Sequence, residues 1–272
     1  MCSPHSIFQM PLPSDQTLSA ARFLLNHMHA QTLCEALPTE CRPATMVEAY
    51  AVQALWEKQS AKLLYGWKIA ATSIAGQNHI GVDGPLAGRY IEERVAHTGK
   101  TVPFGKNHMK VAEVEFAFKL SKDLNPQATL YSEEEVFAAV ASLHPAIELP
   151  DSRYNHFEQV GAAQLIADNA CAHWLVIGPA APDIWRSMDL VTLKPTGRVS
   201  ANSPVVGHGS NVLGSPRIAM TWLINELSSL GITAKQGQIV TTGTCLVPMP
   251  IQAGDEVSGN FGELGHVSVK LI

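Results

Sequence analysis

At 272 residues, with 46% hydrophobic and 16% charged residues, the chain has a globular composition and enough length to bury a sizeable core, in one large domain or one domain plus a smaller appendage. A net charge of −5 and a pI of about 6.1 argue against a binder of phosphate backbones, and no apolar run approaches the roughly 20 residues needed to span a bilayer, so neither nucleic acid nor membrane is expected as a partner. The opening Met-Cys-Ser-Pro-His-Ser lacks the basic start and apolar core of a signal peptide, and the five cysteines (2, 34, 41, 171 and 245) are scattered, odd in number and without Cys-x-x-Cys spacing, which predicts a cytoplasmic protein.

Residues 15–60 read as helical. Leu18, Ala21, Leu24, Leu25 and Met28 recur among polar partners over 15–37, and Pro38 and Pro43 then punctuate a loop. Thr45-Met-Val-Glu48 is a capping box, in which the Thr hydroxyl accepts from a first-turn N–H and the Glu returns to the cap; it launches a second helix through Trp56. From about residue 63, short branched or aromatic runs bounded by Gly, Pro, Asn or Asp predict strands over 63–69, 111–118, 145–149, 173–177, 190–193, 238–242 and 266–271. A second capping box, Ser132-Glu-Glu-Glu135, predicts a helix running through Val140, and 216–230 reads as an amphipathic helix that stops at Gly231. There is no internal repeat. The pattern predicts an α+β protein, with a helical N-terminal portion over 1–62 and a strand-rich mixed domain over 63–272.

The chemistry concentrates in 110–118, Lys-Val-Ala-Glu-Val-Glu-Phe-Ala-Phe. As a strand it puts Ala112, Val114, Phe116 and Phe118 on one face, and Val111, Glu113 and Glu115 on the other. Two carboxylates two residues apart repel unless water or a cation lies between them, so this is either the solvated face of an edge strand or part of an oxygen-rich site for a hard divalent ion. Glu148, inside an apolar run held between prolines, is either an exposed strand end or the third ligand of that site, an oxygen set suited to Mg²⁺ or Mn²⁺ rather than zinc. Lys68, in Tyr-Gly-Trp-Lys-Ile, is either a snorkelling lysine or a desolvated one whose lowered pKa suits proton transfer. Asp83 and Asp168-Asn169 sit in turn-like contexts. Thr242-Gly-Thr-Cys245 follows a strand, where its hydroxyls and N–H groups either hold a carboxylate or form a plain junction. His27 and His29, two apart on a helix, face different ways and make no metal pair. No dinucleotide fingerprint, phosphate loop or nucleophile elbow is present, and Cys171 and Cys245 read as small buried residues.

Taken in order, Ala49-Tyr-Ala-Val-Gln53, Gly66-Trp-Lys-Ile69 with Thr72-Ser73, Gly81-Val-Asp-Gly-Pro85, Ala112-Glu-Val-Glu-Phe116, Ala146-Ile-Glu148 with Asp151-Ser-Arg153, Ala167-Asp-Asn169 and Val240-Thr-Thr-Gly-Thr244 resemble the 2-keto-4-pentenoate hydratase and 4-oxalocrotonate decarboxylase family of the fumarylacetoacetate hydrolase superfamily. The resemblance runs from about residue 45 to the C-terminus. It implies a mixed β-roll domain, Mg²⁺ or Mn²⁺ on Glu113, Glu115 and Glu148, acid–base roles for Lys68 and Asp83, and substrate contacts from Thr72, Ser73, Asp168 and Thr244. The implied partner is a small 2-oxo or 2-enol carboxylate, and a homo-oligomer is expected. The implied activity is hydration of a 2-hydroxyalka-2,4-dienoate to a 4-hydroxy-2-oxo acid, in catabolism of aromatic or related compounds. Decarboxylation of a 2-oxo-3-enedioate is the alternative. An acylpyruvate-type C–C hydrolase is disfavoured, because the superfamily's His-x-x-Glu dyad is missing from the N-terminal helices; a non-catalytic relative is disfavoured by the presence of all five acid–base and metal candidates. Many relatives carry serines where this chain has Cys171-Ala172.

Overall fold

The protein is represented by a computed structural model that describes residues 13–58 and 60–272; Cys2 and the opening segment read for a signal peptide lie outside the described residues. The first part of the chain gives α1 (Asp15–Ala30), α2 (Met46–Glu57), β1 (Leu64–Ala70), α3 (Ile74–Ile80), β2 (Leu86–Ile91), β3 (Val95–His97), β4 (Lys100–Val102) and β5 (Val111–Leu120). Then come α4 (Glu133–Phe137), β6 (Val140–Leu149), α5 (Ala162–Ala167), β7 (Trp174–Ile177), β8 (Thr196–Val199) and β9 (Val205–Val206). The chain closes with α6 (Pro216–Ser229), β10 (Ile239–Thr244), β11 (Met249–Pro250), β12 (Glu256–Asn260) and β13 (His266–Leu271).

The strands form two mixed sheets. An eight-stranded sheet runs β2-β1-β10-β5-β6-β7-β3, with β11 added to β5, and a five-stranded sheet runs β4-β13-β12-β8-β9. Parallel pairs (β1 with β10, β3 with β7, β13 with β4) sit among antiparallel ones. The smaller sheet packs on the face of β5 that carries Val114 and Phe116. Gly259 of β12 lies against Val114, where an added Cβ would meet its two methyls at 3.0 and 3.3 Å, and Phe116 meets Phe261 edge-on at 5.1 Å. This is the α+β, curled mixed-sheet architecture expected. Among the described residues no helix is long and apolar enough to cross a membrane.

Both capping boxes form. Thr45 Oγ1 accepts from the Glu48 N–H (3.2 Å) while Glu48 Oε2 accepts from the Thr45 N–H (3.1 Å), and Ser132 and Glu135 repeat the exchange at 3.2 and 2.8 Å. Several extents differ from the sequence reading, among them the strand expected over 145–149, which runs Val140–Leu149. α1 ends at Ala30, because Gln31 turns left-handed (φ 51°) and its N–H caps the helix; Cys34 then pairs with Tyr154. The helix begun at Ser132 stops at Phe137, since Val140 is taken up by the ladder with Leu120. Residues 190–193 form no strand. Asp189 folds them into a turn, its Oδ1 accepting from the Val191 N–H (3.0 Å), and the Leu193 and Val191 carbonyls accept from Gly209 and Ser210 instead of a neighbouring strand. α3, α5 and the short strands β2, β3, β4, β8, β9, β11 and β12 lacked the length or alternation to be read locally.

The N-terminal helices share the main core. Leu24, Tyr50, Val52 and Trp56 are buried with the sheet's apolar face. Gln53 Nε2–H donates to Ala87 O (2.8 Å) and Ile166 O (3.1 Å), and Trp56 Nε1–H donates to Ala167 O (3.0 Å). α2 thereby ties β2 to the end of α5, from which the site turn departs.

Candidate active site

β5 is a central strand, between β10 and β6, so the solvated-edge reading of Glu113 and Glu115 does not apply. In the β5–β6 ladder Glu113 is directly opposite Glu148, and in the β10–β5 ladder Thr244 is opposite Glu115. Like charges opposite one another in a sheet are destabilising without a compensating group. One carboxylate oxygen from each of Glu113, Glu115 and Glu148 lies within 4.8 Å of the others, with Glu115 and Glu148 fully buried. Glu115 Oε2 accepts from the Gly243 N–H at 2.8 Å, while Glu115 Oε1 and both Glu148 oxygens are buried without a hydrogen bond. Buried carboxylate oxygens this close, all hard donors, fit a divalent cation such as Mg²⁺.

Lys68 comes from β1 on the same face. Its Nζ is 3.0 Å from Glu148 Oε1, an ion-pair distance without hydrogen-bond direction, and donates to Ala170 O at 3.1 Å. Burial works against its charge, but Glu148, Glu113 and Glu115 outweigh burial and hold its pKa above the ordinary lysine value. This direction is opposite to the one read from sequence, because three carboxylates surround the ammonium. Burial, then the Glu148 carboxylate, pushes Glu113 up to about 7, and the same causes push Glu115 well above the carboxylate range.

Two glycines make the approach possible. At Gly88 a Cβ would meet Asn169 O at 2.6 Å and Lys68 Cγ at 2.9 Å; at Gly243 (φ 83°) it would meet Thr72 Oγ1 at 2.3 Å. The turn that presents Ala170 O is left-handed at three successive non-glycine residues, Asn169, Ala170 and Cys171 (φ 58°, 49° and 61°). The Asn169 side chain holds it, Oδ1 accepting from the Arg89 N–H (2.7 Å) and Nδ2–H donating to Arg89 O (2.8 Å).

Lys68 and Glu113 line a cavity of about 560 Å³ that Thr72, Ser73, Thr244 and Cys171 also line. Two sequence candidates are elsewhere. Asp83 is exposed beyond the left-handed Gly81 cap of α3 and is not among the residues lining the cavity. Asp168 is buried beneath the site turn, paired with Arg153 and accepting from Ser152 Oγ (2.8 Å) and the Arg153 N–H (3.0 Å), so its oxygens serve the scaffold. The contributions of Ala170 O, Met109, Phe157 and α3 were missed. A backbone carbonyl leaves no residue-type signal, although Ser73 before and Gly81 after α3 are a cap and a stop that mark the helix.

No family model matches the chain. It is 30% identical over 224 residues to 2-keto-4-pentenoate hydratase 1 of Dechloromonas aromatica (81% of this chain, 83% of that one). It is 28% identical over 239 residues to 2-oxo-hept-4-ene-1,7-dioate hydratase of Escherichia coli (84% and 87%). Among solved structures, 4-oxalocrotonate decarboxylase from Pseudomonas putida G7, complexed with magnesium and adipate, superimposes with a TM-score of 0.86 at 25% identity, covering 97% of this chain and 100% of that one. Curled mixed sheets around an inward-facing carboxylate cluster define the fumarylacetoacetate hydrolase type of fold. Within it, the chain belongs to the 2-keto-4-pentenoate hydratase family.

Proposed function

We propose that the protein is a metal-dependent hydro-lyase that hydrates a 2-hydroxyalka-2,4-dienoate to a 4-hydroxy-2-oxo acid, in the breakdown of aromatic or related compounds in the cytoplasm. The observation that carries this reading is the pairing of Glu113 opposite Glu148 beside the buried Lys68, with Glu113 and Lys68 lining a cavity, in a chain whose relatives are hydratases over four-fifths of its length. Glu113, Glu115 and Glu148 are the proposed ligands of Mg²⁺, with Mn²⁺ as the alternative. A cation held there would supply positive charge that stabilises the negative charge developing on the oxygens of the 2-oxo acid.

Lys68 Nζ is the proposed proton carrier. Held protonated by its carboxylate neighbours, it gives a proton to the far carbon of the dienol as C2–OH becomes C2=O, and water then adds at C4 with a proton returning at C3. The sum is one water added and no redox change. Gly243 N–H orients the Glu115 carboxylate, Ala170 O orients the Lys68 ammonium, and Thr72 and Thr244 stand at the cavity wall for the substrate. Asp83, exposed and apart, has no step here.

The likeness to the decarboxylase favours a second reading, loss of CO₂ from a 2-oxo-3-enedioate at the same site. Product analysis separates the two. With Mg²⁺, the hydratase gives a 4-hydroxy-2-oxo acid from 2-hydroxypenta-2,4-dienoate and releases no CO₂ from the enedioate; CO₂ release without hydration would reverse the assignment. Assembly into a homo-oligomer is also proposed, supported by Leu63 and Ile218 standing 88% and 50% exposed. A monomeric mass by sedimentation at micromolar concentration would reject it.

A further inference from the structure

The cavity's wall points to a substrate class narrower than the family's. We infer that this chain takes 2-hydroxy-2,4-dienoates with a single carboxylate and an apolar tail, and discriminates against those that end in a second carboxylate. The inference rests on the hydratase reading above and deepens it.

A dioate bound with its enol acid at the carboxylate cluster carries its second charge away from that cluster, along the cavity. Among the described residues, the basic side chains lining the cavity are Lys68 and His79, and no arginine lines it. Lys68 is buried and engaged with Glu148 and Ala170 O. His79 is exposed on α3, its ring edge-on to Phe157 at 6.0 Å between centroids. The apolar part of the lining includes Ile80, Met109, Phe157, Leu165, Leu246 and Val247.

Part of the polar lining is turned to the protein itself. Ser73 Oγ accepts from the Gly76 N–H (3.0 Å), Thr244 Oγ1–H donates to Leu246 O (2.7 Å), and Asn211 Nδ2–H donates to Cys245 O (2.9 Å). A carboxylate desolvated against this wall meets no arginine and no lysine beyond the engaged Lys68 to offset its lost hydration, whereas a hydrocarbon tail gains by leaving water. The volume agrees. About 560 Å³ lies in the roughly 300–1,000 Å³ range of pockets for drug-sized ligands and far exceeds a five-carbon acid. At the mouth, Val247, itself 73% exposed, continues the apolar surface outward.

The test uses the Mg²⁺-loaded full chain and a matched pair, 2-hydroxyhepta-2,4-dienoate and 2-hydroxyhepta-2,4-diene-1,7-dioate, which differ by the terminal carboxylate. The expected result is a kcat/KM at least about tenfold higher for the monoacid, with 2-hydroxy-6-phenylhexa-2,4-dienoate also turned over. Val247→Arg, which brings a cation to the mouth on an exposed loop, should raise the dioate-to-monoacid ratio by about tenfold. Equal or better turnover of the dioate by the parent protein overturns the inference. Calorimetric affinities for 2-oxoheptanoate and 2-oxoheptanedioate keep the two claims apart. If neither dienoate is hydrated but the monoacid binds more tightly, the hydratase reading falls and the pocket assignment stands; equal affinities, or tighter binding of the diacid, remove the pocket assignment whatever the turnover.

Discussion

Glu113 and Glu148 face one another across the β5–β6 ladder, with Glu115 one step along the same face, and this residue-scale arrangement sets the protein's response to protons and metal. A carboxyl raised from its ordinary 4.5 to about 7, as Glu113 is, favours its protonated form in the fold. Its contribution to stability is therefore present below the unfolded value and is lost as pH rises through about 7. A divalent cation offsets the loss by screening the repulsion, so protons and cation compete. Mg²⁺ should raise the melting temperature more at pH near 8 than near 6, and its binding near pH 6 should release protons, read by calorimetry in two buffers of different ionisation enthalpy. Binding without proton release there would remove these carboxylates from the metal site. Replacing any of the three by Gln should weaken Mg²⁺ binding; parental affinity in all three variants would do the same. Lys68→Met removes the proton carrier and should lower kcat by about 10²–10⁴-fold while Mg²⁺ still binds. Near-parental kcat would exclude Lys68 from the chemistry.

At the scale of elements, the site depends on the left-handed turn after α5. Non-glycine residues with positive φ cost roughly 1–3 kcal/mol each and persist where their surroundings hold them. Asn169 does this by taking the place of a strand neighbour to Arg89. Asn169→Ala orphans two buried backbone groups, at about 1–3 kcal/mol apiece. The variant should melt several degrees lower and lose turnover through displacement of Ala170 O from Lys68, without a change in the metal ligands. A parental melting temperature and kcat would mean that other contacts hold the turn. This device was only half legible. Asp168-Asn169 reads as a turn from its residue types, but its partners are Arg153 and Arg89, 15 and 80 positions away, and no local pattern names them.

For the whole molecule, the described N-terminal helices share one core cluster with the strands. Leu24, Leu37, Tyr50, Val52, Leu55 and Trp56 are buried with the sheet, and at roughly 1.5–3 kcal/mol per large side chain their loss is on the order of 10 kcal/mol, comparable with the ~5–15 kcal/mol stability of a typical domain. We propose that 1–62 and 63–272 form one folding unit. A chain beginning at residue 63 should lack cooperative melting by circular dichroism; a sharp transition near the parental temperature would make 63–272 an independent domain.

By itself the sequence determined the mixed helix and strand content, both capping boxes, the alternation that puts Glu113 and Glu115 on one face of a strand, and the residues that resemble the hydratase family. These depend on side-chain type and on periods of a few residues, which short-range sterics and hydrogen bonding enforce. The tertiary structure decided that β5 is central rather than an edge, that Glu113 meets Glu148, that Lys68 sits high in pKa among carboxylates, and that Asp83 and Asp168 stay out of the cavity. It also ended the helix after Ser132 at Phe137 and left 190–193 a turn. Each of these turns on pairing register and burial, which are sums over contacts between distant segments, and a local run of residues does not contain its partner.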